Sequence, residues 1–167
     1  MKNVMQILIL ILALTACGKK DNTPCVQNGD ERGATSGKGS KVRVVDAALE
    51  PYVQDLESEI GFQIAYAVRL IDLPNGYAGL ATYWQNGEAL LEIDTDFYNS
   101  ATYNQIHQVV AHEIGHLSMA RGHDDSTITL DGQTVPKTVM HHMAFSRDTA
   151  DFYMDHKNYY MDELFLR

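Results

Sequence analysis

Apolar positions repeat at helical spacing in the first part of the domain. The repeat begins after Asp46, a residue that can cap a helix, and ends before Gly61, which suits a helix terminus. Pro51 must lie in the first turn or delay the start, because proline has no N–H to donate further along a helix. The apolar stripe consists of Leu49, Val53, Leu56 and Ile60. These spacings predict a helix with one buried face.

Three short segments then have the apolar, β-branched character of strands. They cover residues 62–71, 79–84 and 88–93. A proline-asparagine-glycine turn at 74–76 follows the first segment. The pair Asn86 and Gly87 favours a tight hairpin between the second and third segments. We therefore expect a meander of strands after the first helix.

The helical repeat returns over residues 102–121, with Gly122 expected to end the helix. Its apolar side is formed by Ile106, Val109, Val110, Ile114 and Leu117. Residues 123–137 are expected to form a loop, and Ser146 to cap a last helix. The order of elements predicts an α+β fold in one domain, residues 42–167.

The first residues of the chain have a different pattern. Lys2 gives a charged start, residues 4–14 are apolar apart from one glutamine, and Leu-Thr-Ala precedes Cys17. This layout is typical of a secretory signal that is too short to span a bilayer. The four residues from Leu14 to Cys17 resemble the bacterial lipobox. The resemblance implies a signal peptide at 1–16, a lipid on Cys17, and anchoring to a membrane through that lipid.

Residues 17–41 are rich in glycine, serine, asparagine and charge, which predicts a lipidated, flexible tether. Gly18 stands where some inner-membrane lipoproteins have aspartate, so the outer membrane or the cell surface is the expected location. Cys25 has no partner if Cys17 is acylated, so the fold is not expected to depend on an internal disulfide.

The charge of the chain excludes one class of partner. The full sequence has 13 basic and 22 acidic residues, a net charge of −9, and removal of residues 1–16 deletes only Lys2, which leaves −10. Phosphate binding requires clustered lysine and arginine. We therefore expect no nucleic-acid partner.

The strongest chemical motif lies within the long predicted helix. His112 and His116 are four residues apart, so their imidazoles lie on one face and can bind the same tetrahedral ion. Glu113 is turned by about 100° on the helix, which directs it toward an open position of that ion. It can there accept a proton from a water on the ion as general base. His123 follows Gly122, whose freedom to adopt a positive φ lets the chain turn back, and is a candidate third ligand.

This motif resembles that of the metzincin zinc peptidases, His-Glu-x-x-His-x-x-Gly-x-x-His. Here Met119 stands in the glycine position and Gly122 in that of the third histidine, as if one residue were inserted. The resemblance implies one catalytic Zn²⁺, with His123 as third ligand. It also implies a small, mixed and twisted sheet packed on the first helix and on the long zinc-binding helix, followed by a C-terminal helix. Asp124 is the second choice, since some small metzincins use aspartate, and Asp125 the third.

Metzincins also have a methionine turn beneath the metal, and residues 138–142 resemble it. Met140 would then lie under the histidine ligands as a soft apolar floor; ordinary core packing is the alternative. His142 stands where astacin-like members have a tyrosine. It could contact the metal or donate a hydrogen bond to the developing oxyanion, or be a surface histidine.

The strands before the helix are similar to those of matrixins. This implies that residues 79–83 form the edge strand of a substrate cleft, with which an extended peptide would pair. Its members are Gly79, Leu80, Ala81, Thr82 and Tyr83. Asp94 and Asp96 could bind calcium, although two acids in a turn are more often solvated.

Other residues are assigned to structure rather than chemistry. His107 is off the His112 face and expected to be exposed, and His156 has no obvious partner. The aromatic residues of the last helix, Tyr153, Tyr159 and Tyr160, are expected to pack in the core. Cys25 could block zinc in a latent form, as in some metzincin zymogens, or be idle.

Together these features predict a zinc-dependent endopeptidase of the metzincin type, monomeric and membrane-anchored, acting on a peptide or protein substrate. Two alternatives remain open at this point. One is a metal-binding lipoprotein without catalysis, against which Glu113 argues because pure binding does not need it. The other is a zinc hydrolase that acts on cell-wall peptides.

Overall fold

The computed structural model describes residues 39–165. Within that range the chain forms a four-stranded sheet, a two-stranded hairpin and five α-helices, which confirms the α+β class. The strands are β1 (Val44–Val45), β2 (Ala67–Ile71), β3 (Gly79–Tyr83), β4 (Ala89–Asp94), β5 (Thr127–Leu130) and β6 (Gln133–Pro136). The helices are α1 (Glu50–Ile60), α2 (Thr95–Ser100), α3 (Tyr103–Met119), α4 (Arg147–Asp155) and α5 (Lys157–Phe165). The signal segment, Cys17 and Cys25 lie outside the described residues.

The larger sheet is mixed, in the order β1-β2-β4-β3. Strand β2 runs parallel to both β1 and β4, whereas β3 runs antiparallel to β4. The expected mixed sheet is confirmed, but the strand order of the predicted meander is wrong, because β4 inserts between β2 and β3. The hairpin at Asn86 and Gly87 does connect β3 to β4, and Gly87 has the positive φ of 84° that such a turn requires.

Helix α1 begins later than the sequence suggests. Pro51 lies in its first turn and Gly61 ends it with a left-handed φ of 77°, as predicted. Asp46, however, does not cap the helix. Its Oδ2 accepts a hydrogen bond from the Leu70 amide at 2.8 Å, so this carboxylate joins the start of α1 to strand β2.

Helix α3 has a capping box at its N-terminus. Thr102 Oγ1 accepts from the Gln105 amide at 3.3 Å, and Gln105 Oε1 accepts from the Thr102 amide at 3.0 Å. The C-terminus differs from prediction: the helix stops at Met119, and Ala120 takes the left-handed conformation with φ 50°. Gly122 is not in a left-handed conformation. The turn back thus starts two residues earlier than expected.

The segment after α3 is more ordered than a loop. Strands β5 and β6 pair as an antiparallel hairpin. Its turn, Asp131 and Gly132, has φ values of 48° and 80°, the geometry that an Asp-Gly pair favours. Ser146 caps α4 as predicted, accepting from the Thr149 amide at 3.3 Å. The expected single last helix is two helices, divided at His156.

One buried apolar cluster joins the helices to the sheet. It contains the α1 residues Val53 and Leu56, the sheet residues Val68, Leu91 and Ile93, and the α3 residues Val109, Val110 and Ile114. Tyr153 and Tyr160 are fully buried in the same cluster, as predicted for packing residues. Helix α3 therefore packs between the sheet and the other helices at the centre of the core. The histidine motif lies on this helix and is buried with it.

The chain reaches the sheet before residue 42. Ser40 forms two backbone hydrogen bonds with Ala89, at 3.0 and 2.9 Å. A Cβ at Gly39 would lie 2.5 Å from the Trp84 ring, so only glycine fits there. Among residues 39–165, no helix has the length and apolar character needed to cross a membrane.

Candidate metal centre

Two histidine side chains converge on the buried face of α3. His112 and His116 are 2% and 1% exposed, and their ring centroids are 4.7 Å apart. The separation of four residues places them one turn apart on one side of the helix. Their Nε2 atoms are only 3.0 Å from each other.

Backbone carbonyls determine which nitrogen of each ring carries the proton. His112 Nδ1 lies 2.7 Å from the Val139 oxygen, and His116 Nδ1 lies 2.7 Å from the Arg121 oxygen. A carbonyl oxygen only accepts hydrogen bonds, so each Nδ1 must donate. In the neutral rings both Nε2 atoms then present lone pairs to each other. That contact is repulsive unless a cation lies between the two nitrogens.

His123 completes a three-histidine site. Its ring centroid is 5.2 Å from that of His112 and 4.9 Å from that of His116. The three nitrogen ligand atoms lie within 4.8 Å of one another, close enough for one metal ion. His123 Nε2 is buried, and no residue of the described part of the chain forms a hydrogen bond with it. A buried polar atom without a partner has a cost, which a metal ion would remove.

Asp124, the alternative third ligand, is directed elsewhere. Its Oδ1 accepts from the Ser126 amide at 2.9 Å, and its Oδ2 is 3.8 Å from the Lys137 ammonium. The Asp124 amide donates to the Met140 carbonyl at 3.0 Å. That hydrogen bond fixes the chain immediately after His123 and so helps to position the His123 ring.

Burial keeps the three histidines in the form that binds metals. Burial lowers the pKa of His112 well below its ordinary value, and the neighbouring His116 adds to the effect. Burial lowers the pKa of His116 to about 4. It also lowers the pKa of His123. At neutral pH the rings are therefore uncharged, with one nitrogen of each free of a proton, as metal coordination requires.

Glu113 is buried between α3 and the edge strand β3. The side chain is 0% exposed. A Cβ at Gly79 would lie 2.7 Å from Glu113 Oε1, so the carboxyl group touches the strand backbone. Burial raises the pKa of Glu113 well above its ordinary value, and the nearby Ala81 amide lowers it only in part. Neither carboxyl oxygen makes a hydrogen bond of ordinary geometry within residues 39–165.

Met140 packs directly beneath the histidine helix. The side chain is fully buried. A Cβ at Gly115 would overlap the Met140 sulfur and lie 2.9 Å from Leu164 Cδ1. The motif analysis missed the packing role of Gly115, because this is a variable position of the motif. The signal was present, since glycine inside a helix costs about 1 kcal/mol and needs a reason.

Strand β3 lies at one edge of the four-stranded sheet. It is the last strand of the sheet order, and in the described part of the chain its strand partner is β4. Leu80, Ala81 and Thr82 are buried along it, whereas Tyr83 is 36% exposed.

The other candidate residues lie outside the three-histidine site. His142 Nδ1 is 2.6 Å from Asp125 Oδ1. Asp94 is buried and caps α2, accepting from the Phe97 amide at 2.8 Å and from the Leu73 amide at 2.9 Å. Asp96 is exposed in the first turn of α2. Both Asp94 oxygens are thus used in backbone hydrogen bonds, which makes its role structural.

The sequence-based predictions for two histidines, His107 and His156, are wrong. His107 is 0% exposed rather than solvated. Its Nδ1 is 2.7 Å from the Tyr153 hydroxyl and its Nε2 is 2.8 Å from the Asp55 carboxylate. His156 does have a partner, the Asp131 carboxylate at 3.0 Å. These contacts connect residues far apart in the chain, which sequence spacing cannot reveal.

Comparisons of the chain with models of known protein families, with curated proteins and with solved structures found no match.

Proposed function

We propose that this protein is a zinc-dependent endopeptidase. One observation carries the proposal: the Nε2 atoms of His112 and His116 lie 3.0 Å apart with their lone pairs facing each other. They face each other as lone pairs because the Nδ1 atom of each ring donates its proton to a backbone carbonyl. Such an arrangement suits a cation. Three imidazole nitrogens are typical ligands of a catalytic zinc site, which leaves one coordination position open.

Glu113 favours catalysis over simple metal binding. A buried carboxyl group without a hydrogen-bond partner is costly, and a structural metal site has no use for it. Burial keeps the Glu113 pKa high, and a cation held by the neighbouring histidines would lower it toward that of a working base. Zinc bound there would supply Lewis-acid chemistry, by polarising a carbonyl group and acidifying water. Glu113 would accept the proton from that water and return it to the leaving amine.

The neighbouring strand favours a peptide as the substrate. Glu113 packs against Gly79 at the start of β3, which is at the edge of the sheet. An extended peptide added to this edge would form main-chain hydrogen bonds. Its scissile bond would then lie near the general base. A protein and a cell-wall peptide both fit this description, and the substrate panel of the test must contain both.

The resemblance to metzincins supports the same proposal. The third histidine lies one residue beyond the usual spacing, yet it joins the other two. The methionine expected beneath the metal is buried against Gly115 of the motif helix. We therefore propose a metzincin-like fold for residues 39–165.

The test measures zinc content and peptide cleavage on the full chain with two matched variants. Glu113→Gln removes the proposed base and keeps the shape of the side chain. Glu92→Gln is the control, because Glu92 is also a fully buried carboxyl group without a hydrogen-bond partner in the described residues. We expect about one tightly bound zinc ion in all three proteins. Cleavage should fall by a factor of roughly 10²–10⁴ in Glu113→Gln alone.

Two outcomes would contradict the proposal. Equal cleavage by Glu113→Gln and the wild type would remove Glu113 from the mechanism. Zinc in every protein with cleavage in none, on a panel of proteins and cell-wall peptides, would favour a binding module without catalysis.

A further inference from the structure

A second group of metal-ligating side chains lies on the loops beside the three-histidine site. It consists of Asp125, His141 and His142, here called the loop cluster. One ligand atom from each lies within 4.8 Å of those of the other two. Asp125 Oδ1 is 2.6 Å from His142 Nδ1 and 3.9 Å from His141 Nε2. The two imidazole rings stack with centroids 5.0 Å apart.

Backbone hydrogen bonds hold the loop cluster together. The Asp124 amide donates to the Met140 carbonyl at 3.0 Å, and the Lys137 amide donates to the Ser126 carbonyl at 2.9 Å. These bonds join the loop that contains Asp125 to the loop that contains both histidines. The His142 amide also donates to Asp125 Oδ1 at 3.0 Å. These hydrogen bonds already hold the three side chains close together, so the cluster is preorganised for an ion.

We propose that the loop cluster binds a second divalent transition-metal ion. Two imidazoles and one carboxylate form a donor set that suits Zn²⁺, Co²⁺ or Ni²⁺. The side chains of Asp125, His141 and His142 are 55%, 22% and 36% exposed. An ion can therefore enter from solvent, and water can complete its coordination. The proposal does not depend on catalysis, because no member of the loop cluster is a ligand or the base of the first site.

The second ion binds more weakly than the first. Binding at His142 Nδ1 replaces the 2.6 Å bond to Asp125, and the proton of that bond must move to Nε2 of the same ring. His141 Nδ1 accepts a hydrogen bond from the Met143 amide at 3.2 Å, so its proton lies on Nε2. Binding through Nε2 requires that proton to leave Nε2 and Nδ1 to become the protonated nitrogen, at the expense of the Met143 bond. At the three-histidine site, by contrast, two metal-facing nitrogens already carry bare lone pairs.

Cobalt titration of the metal-stripped full chain tests this proposal. Co²⁺ would be added alone, with binding followed by visible absorbance and by equilibrium dialysis. We expect two ions per wild-type chain, the second at least ten times weaker than the first. Asp125→Asn and His142→Gln should each lose the weaker ion and keep the tighter one. His112→Gln should show the converse, because it changes only the first site.

Asp124→Asn is the matched control. Asp124 is the adjacent carboxylate, is 37% exposed on its side chain, and is not a member of the cluster. It should retain both ions. A wild-type chain that binds one ion overturns the proposal, as does loss of the weaker ion from Asp124→Asn and Asp125→Asn alike. The titration measures Co²⁺ binding and not peptide cleavage. Failure of the endopeptidase proposal would therefore leave the number of bound ions unchanged, and failure of the second-site proposal would leave the cleavage result unchanged.

Discussion

Gly115 lies where α3 passes over Met140 and Leu164. Both of those side chains are fully or almost fully buried, so neither can move into solvent to make room. The absence of a side chain at Gly115 therefore lets the methionine approach the helix between His112 and His116. This close approach explains why a glycine is tolerated inside the longest helix of the described residues.

We predict that Gly115→Ala destabilises the protein. Alanine favours a helix over glycine by about 1 kcal/mol, whereas overpacking a filled core costs about 1–3 kcal/mol. The new Cβ would meet Leu164 Cδ1 at 2.9 Å as well as the Met140 sulfur, so we expect the overlap to dominate. Urea denaturation of the zinc-loaded protein should show a net loss of about 1–2 kcal/mol in the free energy of unfolding.

Gly122→Ala serves as the control for this substitution. A Cβ at Gly122 would have no atom of residues 39–165 within 4 Å. Its effect should stay within about 0.5 kcal/mol, as for most surface substitutions. A Gly115→Ala protein more stable than the wild type would show that Met140 does not pack against the helix as described.

Among the secondary-structure elements, helix α3 is surrounded by other elements on several sides, as the two hydrogen bonds of His107 show. Residues 106–116 of the helix are all buried, although the apolar stripe in the sequence covers only one side. The remaining sides are covered by α1 and α4, which supply Asp55 and Tyr153 to the His107 ring. A helix surrounded by other elements can bury polar residues if those elements supply partners.

Strand β4 contains a buried acid that should make stability depend on pH. Glu92 is 0% exposed and lies in register with Arg69 of β2 and Leu80 of β3. Burial raises its pKa from 4.5 to about 7, against a smaller opposite effect of Arg69. The folded state thus holds the Glu92 proton more tightly than the unfolded state does. The stability that this provides is present below pH 4.5 and is lost as pH rises through about 7.

Glu92→Gln should therefore become relatively more stable as pH increases. Each pKa unit corresponds to about 1.4 kcal/mol, so we expect the variant to gain on the order of 2–3 kcal/mol over the wild type between pH 5 and pH 8. Denaturant unfolding at the two pH values measures this gain. Glu88→Gln, in the turn before β4, should show no such change. A constant difference between Glu92→Gln and the wild type at both pH values would contradict the assignment.

At the scale of the whole molecule, the three-histidine site joins elements that are otherwise separate. His112 and His116 belong to α3, His123 follows it, and their backbone partners come from Val139 and Arg121. An ion that binds these residues only in the folded chain must stabilise the whole fold, by about 2.7 kcal/mol at a free concentration of 100 times its dissociation constant.

Removal of zinc should therefore lower the melting temperature of the full chain. For a domain of this size, that free energy corresponds to a decrease on the order of 10 °C, measured by circular dichroism with zinc or with a chelator. His116→Ala should melt at the same temperature under both conditions. His156→Ala, which changes a histidine paired with Asp131 outside the site, should keep the zinc-dependent difference. An equal difference in His116→Ala would exclude the three-histidine site as the cause.

The sequence by itself determined the features that depend on residues close together in the chain. These are the approximate positions of α1, α3 and the strands β2 to β4, the Asn86-Gly87 hairpin, the capping by Ser146, and the pairing of His112 with His116 on one helix face. Each depends on backbone conformational preferences or on side-chain periodicity, which operate over a few residues. The Asp131-Gly132 turn belongs to the same class, and its hairpin could have been predicted from the sequence.

Tertiary structure decided everything that depends on contacts between distant segments. It inserted β4 between β2 and β3, turned Asp46 from a helix cap into a partner of Leu70, and buried His107 between two other helices. It also brought His123 to the other two histidines through a turn at Ala120, and directed Asp124 away from them. Strand order and side-chain partners depend on which surfaces bury each other. The packing of the whole core determines which surfaces these are, and local conformational preferences do not.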